Sequence, residues 1–276
     1  MTAESGAGTQ AVERAMSLLL CFSDEDSELR ISELCARTGL GQSTVSRMVA
    51  SLDRLGFVLQ DPRTGLYRLG PTAVTLGSVA LNSTPLFRTA RQIVQNLAQS
   101  TGLGVNLAEF RDDQLSYLCN FEGARAPKNF TMAGRTAPLH ATGMGKAVLA
   151  DLDPAYVRAY YAEGRADAYT PHTLTDPAAM EAALAVVRSR GCATEVEELA
   201  FGRACVAAPI RGRGGNVVAA LSISGPLSEL DLPNRQQDWA LTVIEAADEL
   251  SVGLGFSAIR APQPRQTPAA AAEPGR

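Results

Sequence analysis

The stretch His140-Ala-Thr-Gly-Met-Gly-Lys146 sets two glycines one residue apart ahead of a helix-forming run. Glycine lets a backbone approach a ligand closely, and the first N–H groups of a helix face an anion. Gly143, Met144 and Gly145 therefore offer backbone donors to a carboxylate. A nucleotide-phosphate loop is excluded. It needs a glycine five positions before Gly145, where His140 stands, and Ser or Thr after Lys146, where Ala147 stands. Ser222 and Ser224 alternate along an apolar run, so both hydroxyls project to one face of a strand. Polar groups on an inward face need partners, which makes the two serines candidate donors to a small ligand. Cys205 opens the neighbouring apolar run and Glu195 precedes the pair of runs. A carboxylate there repels an anion unless protonated or paired, which leaves a neutral or hydroxylated ligand open. His140 is expected to hydrogen-bond within its loop and Lys146 to pair with a carboxylate such as Glu198.

Catalysis and metal binding find little support. Cys205 as a nucleophile with His140 as base needs a third group to orient the base, and no sequence signal supplies one. The five cysteines (21, 35, 119, 192 and 205) are odd in number and scattered, and none forms a Cys-x-x-Cys pair. Zinc and disulfide frameworks need defined spacings. Cysteines in apolar surroundings behave as small hydrophobes. With only two histidines, neither a metal nor another cofactor is expected.

A second constellation suits nucleic acid. In Gln42-Ser-Thr-Val-Ser-Arg-Met-Val-Ala-Ser-Leu-Asp-Arg-Leu55, Val45, Met48, Val49 and Leu52 fall at i, i+3, i+4 and i+7 and face a core. The opposite face then carries Gln42, Ser43, Ser46 and Arg47, short hydrogen-bonding groups and a guanidinium suited to phosphates and base edges. Thr44 lies between them. Arg63 sits in the turn Asp61-Pro-Arg-Thr-Gly65 between two short strand-like runs, placed for a backbone or minor-groove contact.

These residues need elements to hold them. Ala11 to Phe22 has Val12, Ala15, Met16, Leu19 and Leu20 at helical spacing, and an acidic loop follows. Ile31 to Thr38 is a short helix closed by Gly39. A glycine-bearing turn leads to the helix beginning at Gln42, the helix-turn-helix pattern. Residues 57–60 and 66–69 form a hairpin around the Pro/Gly turn, which after such a helix reads as a wing. Helices are expected from Pro71 to Asn82 and from Leu86 to Ser100, as a linker between domains. Beyond Gly104 the period changes. Strands are expected at 105–110, 114–121, 205–210 and 217–224, and helices at 143–152, 180–190 and 232–255. Helices flanking an antiparallel sheet make an α+β domain. Residues 261–276 hold four prolines and an alanine run, a composition expected to be disordered.

Composition agrees with two domains. The 276-residue chain is 46% hydrophobic and 20% charged, normal for a globular protein. No apolar run approaches the roughly 20 residues of a membrane span, and the N-terminus does not read as a secretory signal. A cytoplasmic protein without a membrane partner is the expectation. The net charge of −4 argues against phosphate binding until its distribution is examined. Between Arg37 and Arg68 five arginines oppose two aspartates, a local +3 that permits DNA binding.

Five motifs, in order, resemble the IclR-type transcriptional regulators: Gly39-Leu-Gly-Gln-Ser-Thr-Val-Ser-Arg47, Gly65-Leu-Tyr-Arg-Leu-Gly70, Pro138-Leu-His-Ala-Thr-Gly-Met-Gly-Lys-Ala147, Glu197-Glu-Leu-Ala-Phe-Gly-Arg-Ala-Cys-Val-Ala-Ala-Pro209 and Leu221-Ser-Ile-Ser-Gly-Pro226. The resemblance covers about residues 10 to 256. It implies a winged helix-turn-helix over 10–70, a helical linker over 71–100, a GAF-like effector domain over 101–257 and a tail over 258–276. It also implies double-stranded operator DNA as a partner, a small organic or aromatic acid as effector, a homodimer formed largely through the DNA-binding half, and often a homotetramer. Positions matching Gly143, Met144, Glu195, Cys205, Ser222 and Ser224 would line the effector pocket, with Asn129 a further candidate. Both repressors and activators occur, and a repressor of a catabolic operon is the expectation. A ligand-independent architectural DNA-binding protein is the alternative.

Overall fold

The computed structural model describes residues 7–126 and 133–257. Asn129 and the tail expected at 258–276 lie outside them. The described residues fall into two compact units that divide between Arg88 and Thr89.

The first unit packs three helices, α1 (Ala7–Leu19), α2 (Ile31–Thr38) and α3 (Gln42–Arg54), beside a small antiparallel sheet. The α2 helix stops where Gly39 enters the left-handed region at φ 69° and its N–H reaches the Cys35 carbonyl at 2.9 Å; glycine takes that conformation without strain. Leu18, Leu34, Val45, Val49 and Leu52 close the core. The sheet has β1 (Glu28–Leu29), β2 (Val58–Gln60) and β3 (Tyr67–Leu69) in the order β1-β3-β2. β1 corrects the sequence expectation, which left this stretch as acidic loop. Leu29 pairs with Tyr67 and is buried, a tertiary pairing that two residues cannot advertise. Helical spacing groups Val12, Ala15, Met16, Leu19 and Leu20 on one face, and that grouping does not say which face turns inward. Leu18 is buried, whereas Val12, Met16 and Leu20 are exposed, Leu20 at 84%. Apolar residues lie on two faces of this helix, and only one can meet α2 and α3. Helix α4 (Pro71–Ser83) begins with proline in its first turn and buries none of its residues.

The second unit is built on a six-stranded, wholly antiparallel sheet. Its strands are β4 (Gly104–Arg111), β5 (Gln114–Phe121), β6 (Thr136–Ala137), β7 (Ala193–Val196), β8 (Arg203–Arg211) and β9 (Val217–Pro226), in the order β6-β5-β4-β9-β8-β7. Helix α5 (Pro85–Thr101) crosses the divide between units. Helices α6 (Gly143–Leu149), α7 (Pro154–Ala162) and α8 (Pro177–Arg190) share an apolar cluster with one face of the sheet, through Met144, Val148, Val157, Leu184, Ala207 and Ala220. Alternation sends Val206, Ala208, Leu221 and Ile223 to the other face, where they are fully buried. A one-turn helix α9 (Leu227–Leu230) precedes α10 (Leu232–Gly253), which packs along β8 and β9. The starts of α7 and α8 are set by Asp153 and Asp176, whose carboxylates accept from Ala155 and Ala179 N–H, each followed by proline. The architecture is α+β. Among the described residues no helix is long and apolar enough to cross a membrane.

Candidate functional site

Strand register assembles a row of polar side chains on the α6 face of the sheet. Asn120 stands opposite Asn106, and Asn106 opposite Ser222. Ser224 is opposite Cys205, and Cys205 opposite Glu195. Directly paired antiparallel residues point to the same side, so five strands turn these groups to one face. A cavity of about 400 Å³ opens above them. Gly143, Met144, Glu195, Cys205, Ser222 and Ser224 all line it. Asn106, Tyr117, Thr142 and Arg203 line it too, and sequence reasoning did not single them out. For Asn106 the signal was available: a polar residue inside an apolar strand, the same irregularity that marked Ser222.

The two glycines serve different contacts from those expected. A Cβ on Gly143 would stand 2.6 Å from Cys205 Sγ, and one on Gly145 would stand 2.1 Å from the Leu139 carbonyl oxygen. They let α6 lie against β8 and against its own incoming loop. The Gly145 N–H is not available to an anion: it donates to Thr142 Oγ1 at 3.0 Å, and that hydroxyl donates to the Pro138 carbonyl at 2.9 Å. This is a helix N-cap.

Glu195 precedes β8 and β9, as expected, and lies in a further strand, β7. Its Oε1 accepts from the Glu198 N–H at 2.6 Å and the Leu199 N–H at 3.3 Å, and its Oε2 accepts from the Cys205 thiol at 3.5 Å. Burial pushes its carboxyl pKa up, against the lowering effect of those two N–H groups. Burial also holds the Cys205 thiol well above its ordinary range, and Glu195 adds to the shift. Such a thiol stays protonated and is a poor nucleophile. Burial pushes the Tyr117 hydroxyl up to about 12, so it remains a donor at neutral pH.

Lys146 and Glu198 form a buried ion pair, as the sequence suggested. His140 is fully buried, and its partners lie outside its own loop, contrary to the sequence expectation. Nδ1 meets the Tyr160 hydroxyl at 3.0 Å and Nε2 meets the Asp167 carbonyl at 2.8 Å. Both nitrogens are thereby used on α7 and the loop after it, and neither serves Cys205 as a base. Among the described residues no group of three or more His, Cys, Asp or Glu could hold a metal ion.

In the first unit, Gln42, Ser43, Ser46 and Arg47 are exposed on one face of α3, and Thr44 is half-buried. Arg47 Nε donates to the Ser43 carbonyl at 3.3 Å, which lays the guanidinium along the start of the helix. The wing turn is tied by Asp61, whose Oδ1 accepts from the Arg63 N–H at 2.7 Å. The Arg63 side chain is 89% exposed at its tip.

Residues 11–62 match the IclR helix-turn-helix domain, and residues 78–252 match the C-terminal domain of the bacterial transcriptional regulator IclR. The chain is similar to the HTH-type transcriptional regulator BhcR of Paracoccus denitrificans, with 34% identity over 252 residues, 91% of this chain and 90% of the relative. It is 31% identical to the transcriptional repressor IclR of Escherichia coli, over 92% of this chain and 93% of the relative. Among solved structures it resembles the Thermotoga maritima IclR, with a TM-score of 0.77 and 25% identity over 90% of this chain and 99% of that one.

Proposed function

The chain belongs to the IclR family of transcriptional regulators, and from that premise we propose that it is a cytoplasmic repressor of a catabolic operon whose operator binding is modulated by a small organic or aromatic acid. The cavity on the β4-β9-β8-β7 face carries this reading: it is of ligand size and its floor bears two serine hydroxyls within a buried polar row. Gly143, Met144, Glu195, Cys205, Ser222 and Ser224 form the effector site, with Ser222 and Ser224 as donors to the acid. Gln42, Ser43, Thr44, Ser46 and Arg47 contact the operator from a major groove, and Arg63 contacts the backbone from the wing.

The protein acts as a homodimer, and pairs of dimers form a homotetramer. Exposed Val12 and Met16 on α1, Leu20 just after it, and Val74 and Val79 on α4 supply apolar surface for the dimer contact. A two-fold dimer reads a pseudo-palindromic site with one α3 in each major groove. Effector and operator prefer different arrangements of the linker helices, and the effector shifts DNA binding only by its difference in affinity for the two.

The test is a thermal-shift screen with small carboxylates, hydroxy acids, aromatic acids and their amides, repeated on the Ser222→Ala/Ser224→Ala variant. A binder at many times its Kd raises stability by about 3 kcal/mol, and the variant loses that response while keeping operator binding. If no compound shifts the wild type, the effector reading fails and the ligand-independent architectural reading takes its place.

A further inference from the structure

The row Asn120, Asn106, Ser222 and Ser224 has a direction. Asn106 Nδ2 lies 3.2 Å from Ser222 Oγ and 3.0 Å from Ser224 Oγ. An amide nitrogen only donates, so both serine oxygens accept there. On the other side Asn120 Nδ2 donates to Asn106 Oδ1 at 2.5 Å. With Asn120 so placed, reversing the Asn106 amide would set two nitrogens face to face, leaving buried donors unmade at a cost of about 1–3 kcal/mol. Asn106 is 5% exposed and lines the cavity; Asn120 is half-buried and does not line it.

Each serine has one hydroxyl proton left to place. For Ser224 the acceptor in reach is the Gly104 carbonyl at 3.4 Å, a long contact. Ser222 donates to no acceptor among the described residues. Two other polar groups of the lining are committed, while the Tyr117 hydroxyl stays a donor. Thr142 is used as donor and acceptor within its own cap, and both Glu195 oxygens already accept. The floor therefore presents donors.

We propose that Asn106, oriented by Asn120, is a positioning residue that sets the hydrogen-bond polarity of the pocket floor. It leaves the Ser222 proton for the cavity and the Ser224 proton for the cavity or the long Gly104 contact, and makes the site prefer a carboxylate over the carboxamide of the same skeleton. The proposal rests on the effector reading for its ligand, and on the amide geometry alone for its orientation.

The discriminating variant is Asn120→Asp. An aspartate at 120 can only accept, so it draws Asn106 Nδ2 toward itself and swings Oδ1 onto the serines. Their protons then point at Asn106 and their lone pairs at the cavity. Affinities of full-length wild type, N120D and the uncharged N120A are measured for three matched pairs: acetate and acetamide, benzoate and benzamide, phenylacetate and phenylacetamide. Melting curves verify that each variant is folded. In parallel the Asn106 side-chain NH2 signals are followed by NMR with and without Ser222→Ala/Ser224→Ala.

The wild type is expected to favour the acid by about tenfold, the worth of one hydrogen bond gained or lost. N120D removes or inverts that preference, and N120A lowers it without any added charge. The NH2 signals move on serine substitution in the wild type and stay still in N120D. An unchanged acid-to-amide ratio in folded N120D and N120A overturns the proposal, as do wild-type NH2 signals indifferent to the serines. If none of the six probes binds the wild type, the effector reading loses support, and the NMR comparison alone decides the orientation of Asn106.

Discussion

A Cβ built on Gly143 falls 2.6 Å from the sulfur of Cys205, so the first residue of α6 and the third residue of β8 fit only because one of them has no side chain. The same contact closes one wall of the cavity, since both residues line it. This pair thus contributes both to the position of the helix and to the shape of the pocket.

Gly143→Ala is therefore expected to destabilise the second unit by about 1–3 kcal/mol, the usual cost of forcing a methyl into a packed core. Removing the sulfur should relieve the clash, so the same change in a Cys205→Ala background costs less than in the wild type. Urea denaturation of the four proteins of this double-mutant cycle measures the coupling. Additive effects would show that α6 moves away freely.

Lys146→Met should cost about 3–5 kcal/mol, because it leaves the Glu198 carboxylate buried without its cation. The double variant Lys146→Met/Glu198→Leu should recover most of that loss, since no charge remains to be desolvated. Denaturant midpoints of the single and double variants check it. A double variant as unstable as the single one would assign the loss to packing.

The pH dependence of stability should carry a component from Glu195. Its folded carboxyl holds a proton more tightly than the unfolded chain does, because burial raises its pKa. The folded state then binds more protons, and stability falls as pH rises from the ordinary glutamate range through the raised folded value. Glu195→Gln keeps an acceptor for the Glu198 and Leu199 N–H groups and removes the titration. The difference in unfolding free energy between wild type and Glu195→Gln, followed upward from the ordinary glutamate range, should move in favour of the variant as pH rises. A flat difference would mean that the carboxylate is fully compensated.

Arg47→Ala and Arg63→Ala should weaken operator binding in different ways. Loss of a base-contacting arginine costs about 1–3 kcal/mol and relaxes sequence preference at one position. Loss of a phosphate contact weakens binding evenly across sequences and lowers the salt slope by about 0.9 per contact. Fluorescence anisotropy with an operator selected from a random-sequence pool, across a salt series, separates the two. If Arg47→Ala binds with wild-type affinity, α3 is not the reading helix.

Much of the first unit was legible because its signals are local. Gly39 stops α2 by its own backbone freedom, and Val45, Val49 and Leu52 mark the inner face of α3 by spacing alone. The outward groups from Gln42 to Arg47 follow from that face. The alternation of Ser222 and Ser224 likewise placed both hydroxyls on one side of β9, and their burial agrees. What sequence periodicity could not settle was which of two apolar faces α1 turns inward, since that choice depends on where α2 and α3 stand.

The use made of each pocket residue was decided by tertiary structure. Gly143 and Gly145 read as an anion-facing loop, yet the first makes room for a sulfur and the second for a carbonyl. Glu195 read as a charge that repels an acid unless protonated or paired, and the fold supplies the partners, two backbone N–H groups and a thiol. Asn106 and Asn120 lie 14 residues apart in the chain, and Asn106 lies 118 from Ser224. Spacing along a chain reports which face of an element a side chain occupies. Hydrogen-bond partners from other strands are chosen by sheet order and register, and those exist only once the sheet has formed.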